Sequence, residues 1–288
     1  MKKNSLFKPT TADYVIGILL LILAIIILFP FYNAVIISLV TETEYVRTPF
    51  MIFPKNIDLS SYKLIFTESN ILSGMKITIF ITVIGTFYNM FLTTLCAYAL
   101  TKDFFGRRVV SLLIIFTVYF SGGLIPFYLM MKDLNLIDSI LAMILPSGIS
   151  FMYMIVIRRN FEEIPKSLME AAEIDGANDL VTLFKIILPI TKPILVTFAL
   201  YYAVDRWNEW WHGMLFIKSV EKQPLQLILR NLVQDASATS NGTSAGVIIF
   251  GDGIKMAATV VSMVPIMLVY PFLQKYFIGG MTTGAVKE

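Results

Sequence analysis

The chain has 288 residues, 57% of them hydrophobic and only 15% charged, with a formal net charge of +3. Soluble domains carry nearer a quarter charged residues, so this composition, with a mean hydropathy of +0.74, belongs to a chain solvated by lipid. The small net charge and the lack of a basic stripe argue against nucleic acid, and a single cysteine, Cys96, excludes an internal disulfide.

In chain order, Lys2, Lys3 and Lys8 precede an uncharged run of 27 residues, 14–40. A secretion signal has a shorter apolar core ending at small residues, whereas Phe29, Pro30, Phe31 and Tyr32 stand where cleavage would fall. The run is read as a retained first membrane helix. A span needs about 20 apolar residues to cross a core about 30 Å thick. Residues 77–100, 109–131, 139–157 and 256–274 meet that length, the last in spite of Pro265 and Pro271, which neighbouring helices can accommodate. Residues 193–217 are long enough but carry Asp205, Arg206, Trp207, Asn208, Glu209, Trp210, Trp211 and His212. The expected fold is therefore an all-α membrane protein with six transmembrane helices in one domain over 1–288.

Six spans place both termini on one side. With that side cytoplasmic, thirteen Lys and Arg lie inside and nine outside, as the positive-inside rule requires. The outer loop 218–255 contains a Ser-, Thr-, Asn- and Gly-rich stretch, 235–246, suited to meeting a partner.

The long polar interruption is the cytoplasmic loop 158–192. Pro165 suits a first helical turn, and Ser167 and Glu170 have capping-box spacing. Leu168, Ala171, Ala172 and Asp175 follow one face, with small residues that admit close approach. Gly176 supplies a positive φ that ends the helix, and Asn178 or Asp179 caps the next. Pro189 and Pro193 bend that second helix into the fifth span. A helix this short is not stable alone in water, so it docks on a partner, and its partly acidic face suits protein better than lipid.

The whole pattern, Glu170-Ala171-Ala172-x-x-Asp175-Gly176-Ala177, then Phe184, Leu188-Pro189 and Pro193, resembles the EAA loop of ABC importer permeases. Gly122-Gly123-Leu124-Ile125-Pro126, Trp207-Asn208 and the tail 275–287 are similar to the carbohydrate branch of that family, the maltose-importer type in its complex-oligosaccharide subgroup. The resemblance implies the type I importer permease fold, in a bacterial cell membrane. It implies as partners a second homologous permease, two ATPase subunits and an extracytoplasmic sugar-binding protein. ATP and Mg would sit on the ATPases and no cofactor on this chain, which has no Gly-Lys dipeptide and hence no Walker A loop. Ser167, Glu170, Ala171, Ala172, Asp175, Gly176 and Ala177 would form the ATPase-coupling element, with Glu170 its charged contact.

The fifth span carries the polar cluster. A charge at bilayer centre costs roughly 2.5–3.5 kcal/mol on insertion scales and so faces protein or water. Arg206 and Glu209, three apart, fit a same-face pair. Trp207, Trp210 and Trp211 suit either an interfacial belt or stacking on sugar rings. Asn208 can both donate to and accept from hydroxyls. Asn208, Trp207, Trp211, Asn89 and Tyr119 are the substrate-path candidates, with helix–helix hydrogen bonding the other role for Asn89 and Tyr119. Cys96 and His212 read as packing residues. Other solutes remain open, namely a sugar acid, polyol or sugar phosphate. A secondary transporter would have no use for the docking loop, and a membrane enzyme would need more ionisable groups than one segment supplies.

Overall fold

The computed structural model describes residues 11–68, 70–239 and 251–282. It is all-helical, and it divides into two compact units, Met1–Ser69 with Asn231–Val264, and Asn70–Arg230 with Pro265–Glu288.

In the first unit, α1 (Thr11–Ile37) is 27 residues long with a mean hydropathy of 3.0 in its most apolar window. Its side chains stay exposed until Ala34, so on this chain it is a helix for lipid or a partner. Two short helices follow, α2 (Glu42–Arg47) and α3 (Ser60–Glu68). The Tyr32 hydroxyl donates to the Ile52 carbonyl, and Ser38 Oγ bonds the Tyr62 hydroxyl at 2.8 Å.

The second unit is organised on α4 (Ile71–Ala99), 29 residues long. The expected third span, 109–131, is instead two helices, α5 (Arg107–Tyr119) and α6 (Leu124–Asp133), whose axes turn by 115°. The break falls at Gly122-Gly123, where Gly123 takes φ +91°, a conformation only glycine adopts without strain. The expected fourth span, 139–157, is not one helix either. A 3₁₀ turn, Ile140–Met143, leads through non-helical backbone around Pro146 into α7 (Phe151–Glu162).

Two short helices form the polar loop, α8 (Lys166–Ile174) and α9 (Asp179–Thr182). A π-helical turn, Leu183–Ile187, and α10 (Leu188–Ile190) then lead to α11 (Lys192–Trp207), across a bend of 88°. Pro189 has no N–H for the Lys185 carbonyl, which accounts for the widened turn just before it. The fifth expected span, 193–217, is α11, an interruption at 208–210, and α12 (Trp211–Phe216). Next come α13 (Leu225–Thr239) and α14 (Gly251–Thr282). Residues 235–239 are thus helical rather than loop, and helix continues to Thr282, past the expected end of the last span at 274. The rest of the Ser-rich stretch, residues 283–288 and the N-terminal lysines lie outside the described residues.

Among the described residues, three helices, α1, α4 and Gly251–Leu268 of α14, are long and apolar enough to cross a membrane, or up to five spans if each bent pair counts as one. The core of the second unit joins the end of α4 to α7, the π turn and α11, through Ala97, Met154, Ile157, Phe161, Leu183, Ile187 and Phe198. That core fixes the two places where polar groups gather.

Candidate functional site

The first place is α8. Its N-cap is Pro165, and no side chain caps it, so the Ser167–Glu170 capping box does not form. Pro165 takes the cap position itself, which moves Ser167 inside the first turn, where it is exposed. The other end matches its expectation. Gly176 has φ +80°, its N–H reaches the Glu173 carbonyl at 3.0 Å, and the Ala177 N–H reaches Ala172 at 2.9 Å, the two bonds of a Schellman stop. The Asn178 side chain accepts from the Val181 N–H at 2.9 Å and starts α9.

The face expected to run through Leu168, Ala171, Ala172 and Asp175 is divided. Ala172 is buried and Met169 packs against the core, while Leu168, Glu170, Ala171 and Asp175 are exposed. Ala172 follows Ala171 by about 100° of helix rotation, so both cannot face outward. Ile174, absent from the expected set, is 87% exposed. It stands two residues beyond the buried Ala172, about 200° around the helix, and so faces outward. The loop is braced from below by Lys102, paired with Asp179 at 2.7 Å, and by Arg107 and Arg158 on Glu162, at 3.8 and 2.8 Å.

Gly176→Val tests the stop. Nothing lies within 4 Å of a Cβ added there, so its cost is backbone strain, about 1–2 kcal/mol. The variant is expected to insert normally and to recover less ATPase on co-purification, while Gly176→Asn, which tolerates the left-handed region, retains it.

The second place is where the last turn of α11 meets α4 at Asn89. Arg206 is 3% exposed. Its Nη1 donates to the Met143 carbonyl at 2.6 Å, Nη2 to Ser147 at 2.8 Å and Ile144 at 3.5 Å, and Nε to Asn89 Oδ1 at 3.1 Å. Asn89 Nδ2 donates to the Ser147 carbonyl and to Gly148 at 3.1 Å. These are the carbonyls that the broken segment 143–148 cannot satisfy within a helix. In the membrane such backbone survives only where protein satisfies it. Gly85 makes room, since a Cβ there would lie 3.0 Å from Arg206 Cδ. Glu209 completes the chain, 3.8 Å from Arg206 and 2.9 Å from both the N–H and Nδ1 of His212.

The path candidates therefore separate. Asn89 is fully buried, its amide shared between Arg206 and the carbonyls of Ser147 and Gly148. Trp207 is buried too, its indole N–H without an acceptor among the described residues. Asn208 is exposed but donates to Val204 at 2.9 Å, its own helix end. Trp211 is 44% and Tyr119 84% exposed. Sequence reasoning did not pair Arg206 with residues 143–148, because contacts some 60 residues apart leave no local spacing; Pro146-Ser147-Gly148 was the only trace of the break.

Beyond the end of α11, Asp138 clasps the chain. It accepts from the N–H groups of Lys218 and Ser219 at 3.0 and 2.8 Å, from Ser219 Oγ at 2.6 Å and from Lys222 Nζ at 2.8 Å. The Lys222 ammonium, helped by Ser219, holds its carboxyl well below the usual range. A carboxylate lowered on folding stabilises above its unfolded value and loses this only as pH falls through the folded one, so the clasp is intact at any neutral pH. Asn135 and Asp138, with φ 55° and 60°, are the turn-forming residue types that signalled it. Beside it Trp210 and Trp211 meet edge-on at 5.6 Å, and the Arg230 guanidinium lies 4.7 Å over Trp210.

A groove of about 670 Å³ runs between α4 and α11 past Thr82, Thr86, Leu195 and Ala203. The hydroxyls of Thr82 and Thr86 have no hydrogen-bond partner among the described residues.

Apolar helices, some of them bent or broken around a buried polar network, with one short helix displayed at an end, define a class: a multi-pass membrane protein. Residues 10–283 match the family of binding-protein-dependent transport system inner membrane components, and the chain belongs to it, as a permease subunit of an ABC transport system. It is similar to Protein LplC of Bacillus subtilis (strain 168), 42% identical over 91% of this chain and 90% of that protein. It is also similar to the polygalacturonan/rhamnogalacturonan transport system permease protein YtcP of the same organism, 40% identical over 99% of each. Among solved structures, a bacterial ABC transporter involved in the import of the acidic polysaccharide alginate superposes with a TM-score of 0.80 and 32% identity, over 94% of this chain and 99% of that one.

Proposed function

We propose that this chain and a second, homologous permease form the translocation path for an oligosaccharide, handed over by an extracytoplasmic binding protein and driven by two ATPase subunits. The protein is placed in a bacterial cell membrane with six crossings, counting the broken ones, and with both termini and α8 cytoplasmic. The region from Ser167 through Glu170, Ala171, Ala172, Asp175 and Gly176 to Ala177 docks on an ATPase. Closure of the ATPases on nucleotide then shifts the permease pair between inward-open and outward-open states, by binding the two states unequally.

The observation that carries this reading is α8 itself: a nine-residue helix, too short to persist alone, anchored by Ala172 and displaying Glu170 and Ile174. The open groove with its two unpaired threonine hydroxyls supports a second permease against α4 and α11, since buried hydroxyls ordinarily find partners. The relatives named for polygalacturonan/rhamnogalacturonan and for an acidic polysaccharide favour an oligosaccharide that bears carboxylates.

The test is uptake of labelled oligosaccharides into proteoliposomes holding the complete complex. Uptake is expected only with ATP and all subunits present. Uptake that persists without an ATPase would make the chain a secondary transporter and end this reading.

A further inference from the structure

The Arg230 guanidinium, 4.7 Å over the face of Trp210 and set beside the half-exposed Trp211, points to a binding subsite for a uronate residue of the transported oligosaccharide. This inference rests on the oligosaccharide reading above and adds the residues of this chain that recognise its carboxylates.

The cluster lies at the opposite end of α11 from the docking loop. The sixteen residues of α11, at about 1.5 Å each, separate them by about 24 Å. A solute arriving on the side away from the ATPases meets this end first. The cations of this end differ in their engagement. Lys222 is committed to Asp138 at 2.8 Å and Arg206 to backbone carbonyls. Among the described residues, Arg230 hydrogen-bonds Met214 Sδ at 3.4 Å and makes no ion pair. A guanidinium whose cation rests over an indole face still has N–H donors of its fork to offer a further partner. That fork matches a carboxylate in two parallel bonds.

Trp211 supplies the second half. Its ring meets that of Trp210 at 83° with centroids 5.6 Å apart and is 44% exposed, so part of it is left for a ligand. A pyranose presents one face of C–H bonds, which an open indole accepts, and its ring carboxylate then lies within a few ångströms of that face. An uncovered indole next to a second indole that carries a cation is thus matched to a ring that carries an acid. A neutral ring would use Trp211 and leave Arg230 unspent.

The discriminating experiment uses the complete complex in proteoliposomes and two probes, trigalacturonate and its fully methyl-esterified form, which share a ring skeleton and differ in charge. Selection by the binding protein is common to wild type and variant, so the change in the acid-to-ester uptake ratio isolates this chain. Arg230→Gln is expected to lower that ratio about tenfold, since a hydrogen bond to a charged group contributes enough for one decade. Arg230→Lys should keep part of the ratio, and Trp211→Ala should slow both probes. An unchanged ratio in Arg230→Gln overturns the proposal. So does an equal loss for both probes together with lost stimulation of the ATPase by the sugar-free binding protein, which would assign Arg230 to protein docking. If wild type carries neither probe but carries neutral oligosaccharides, the uronate subsite is wrong and the oligosaccharide reading stands; if it carries no oligosaccharide at all, that reading falls first.

Discussion

Arg206→Leu is expected to yield a chain that inserts but loses its folded second unit on mild heating. The side chain is fully desolvated and holds the carbonyls of Met143 and Ser147 at 2.6 and 2.8 Å and Asn89 at 3.1 Å. Leucine fills much of the volume but donates nothing. The Met143 carbonyl loses this donor, Ser147 is left with Asn89, and Glu209 with His212. Removing one partner of a buried charged pair costs about 3–5 kcal/mol, against a total stability of about 5–15 kcal/mol. For a chain of this size that corresponds to a fall of roughly 10 °C in midpoint, read as the loss of the monodisperse peak on heating the detergent-solubilised protein. Arg206→Lys keeps the charge without the fork and should fall between. Asn89→Leu should cost less, because Arg206 still reaches Ser147. Equal midpoints for wild type and Arg206→Leu would remove the network from any structural role.

The same residues show how far a sequence can be read. The end of α8 was legible, because a glycine stop and an asparagine cap act through their own backbone within five residues. The spans were legible as apolar lengths and not as shapes. Hydropathy over 109–131 and 139–157 is blind to chain direction, and the turns at Gly122-Gly123 and Pro146-Ser147-Gly148 cost little apolar length while reorienting the helix. A break at membrane depth also needs distant compensation, and here it comes from Arg206 and Asn89, 59 and 58 residues from Ser147. Arg206 was legible as an expensive charge needing a partner, and its same-face pairing with Glu209 is present; its principal partners are backbone groups, which carry no residue-type signal. Asn89 illustrates the converse. An amide in a span is ambiguous between lining a path and closing a fold until its neighbours are known.

Glu170→Lys carries the largest expected effect on transport with the least on the fold. Glu170 is exposed on α8 and makes none of the ion pairs among the described residues, so its replacement removes nothing the chain uses internally; Ala172, Gly176 and Asn178 still hold the helix. Insertion, yield and thermal midpoint should match wild type. In the docking proposed above, the carboxylate that would face a basic residue of the ATPase becomes a cation, and like-charge juxtaposition in an interface costs several kcal/mol. About 2.7 kcal/mol corresponds to a hundredfold, so ATP-dependent uptake is expected to fall by about 100-fold, with a matching loss of ATPase on co-purification. Glu221→Lys, an exposed carboxylate beside the Asp138 clasp at the other end of α11, is the control and should leave ATPase recovery unchanged. Raising the ionic strength should weaken wild-type docking, which depends on the charge pair, more than it weakens the variant's residual docking. Normal uptake in Glu170→Lys would remove α8 from the coupling step, and with it the reason that a helix so short should stand exposed at all.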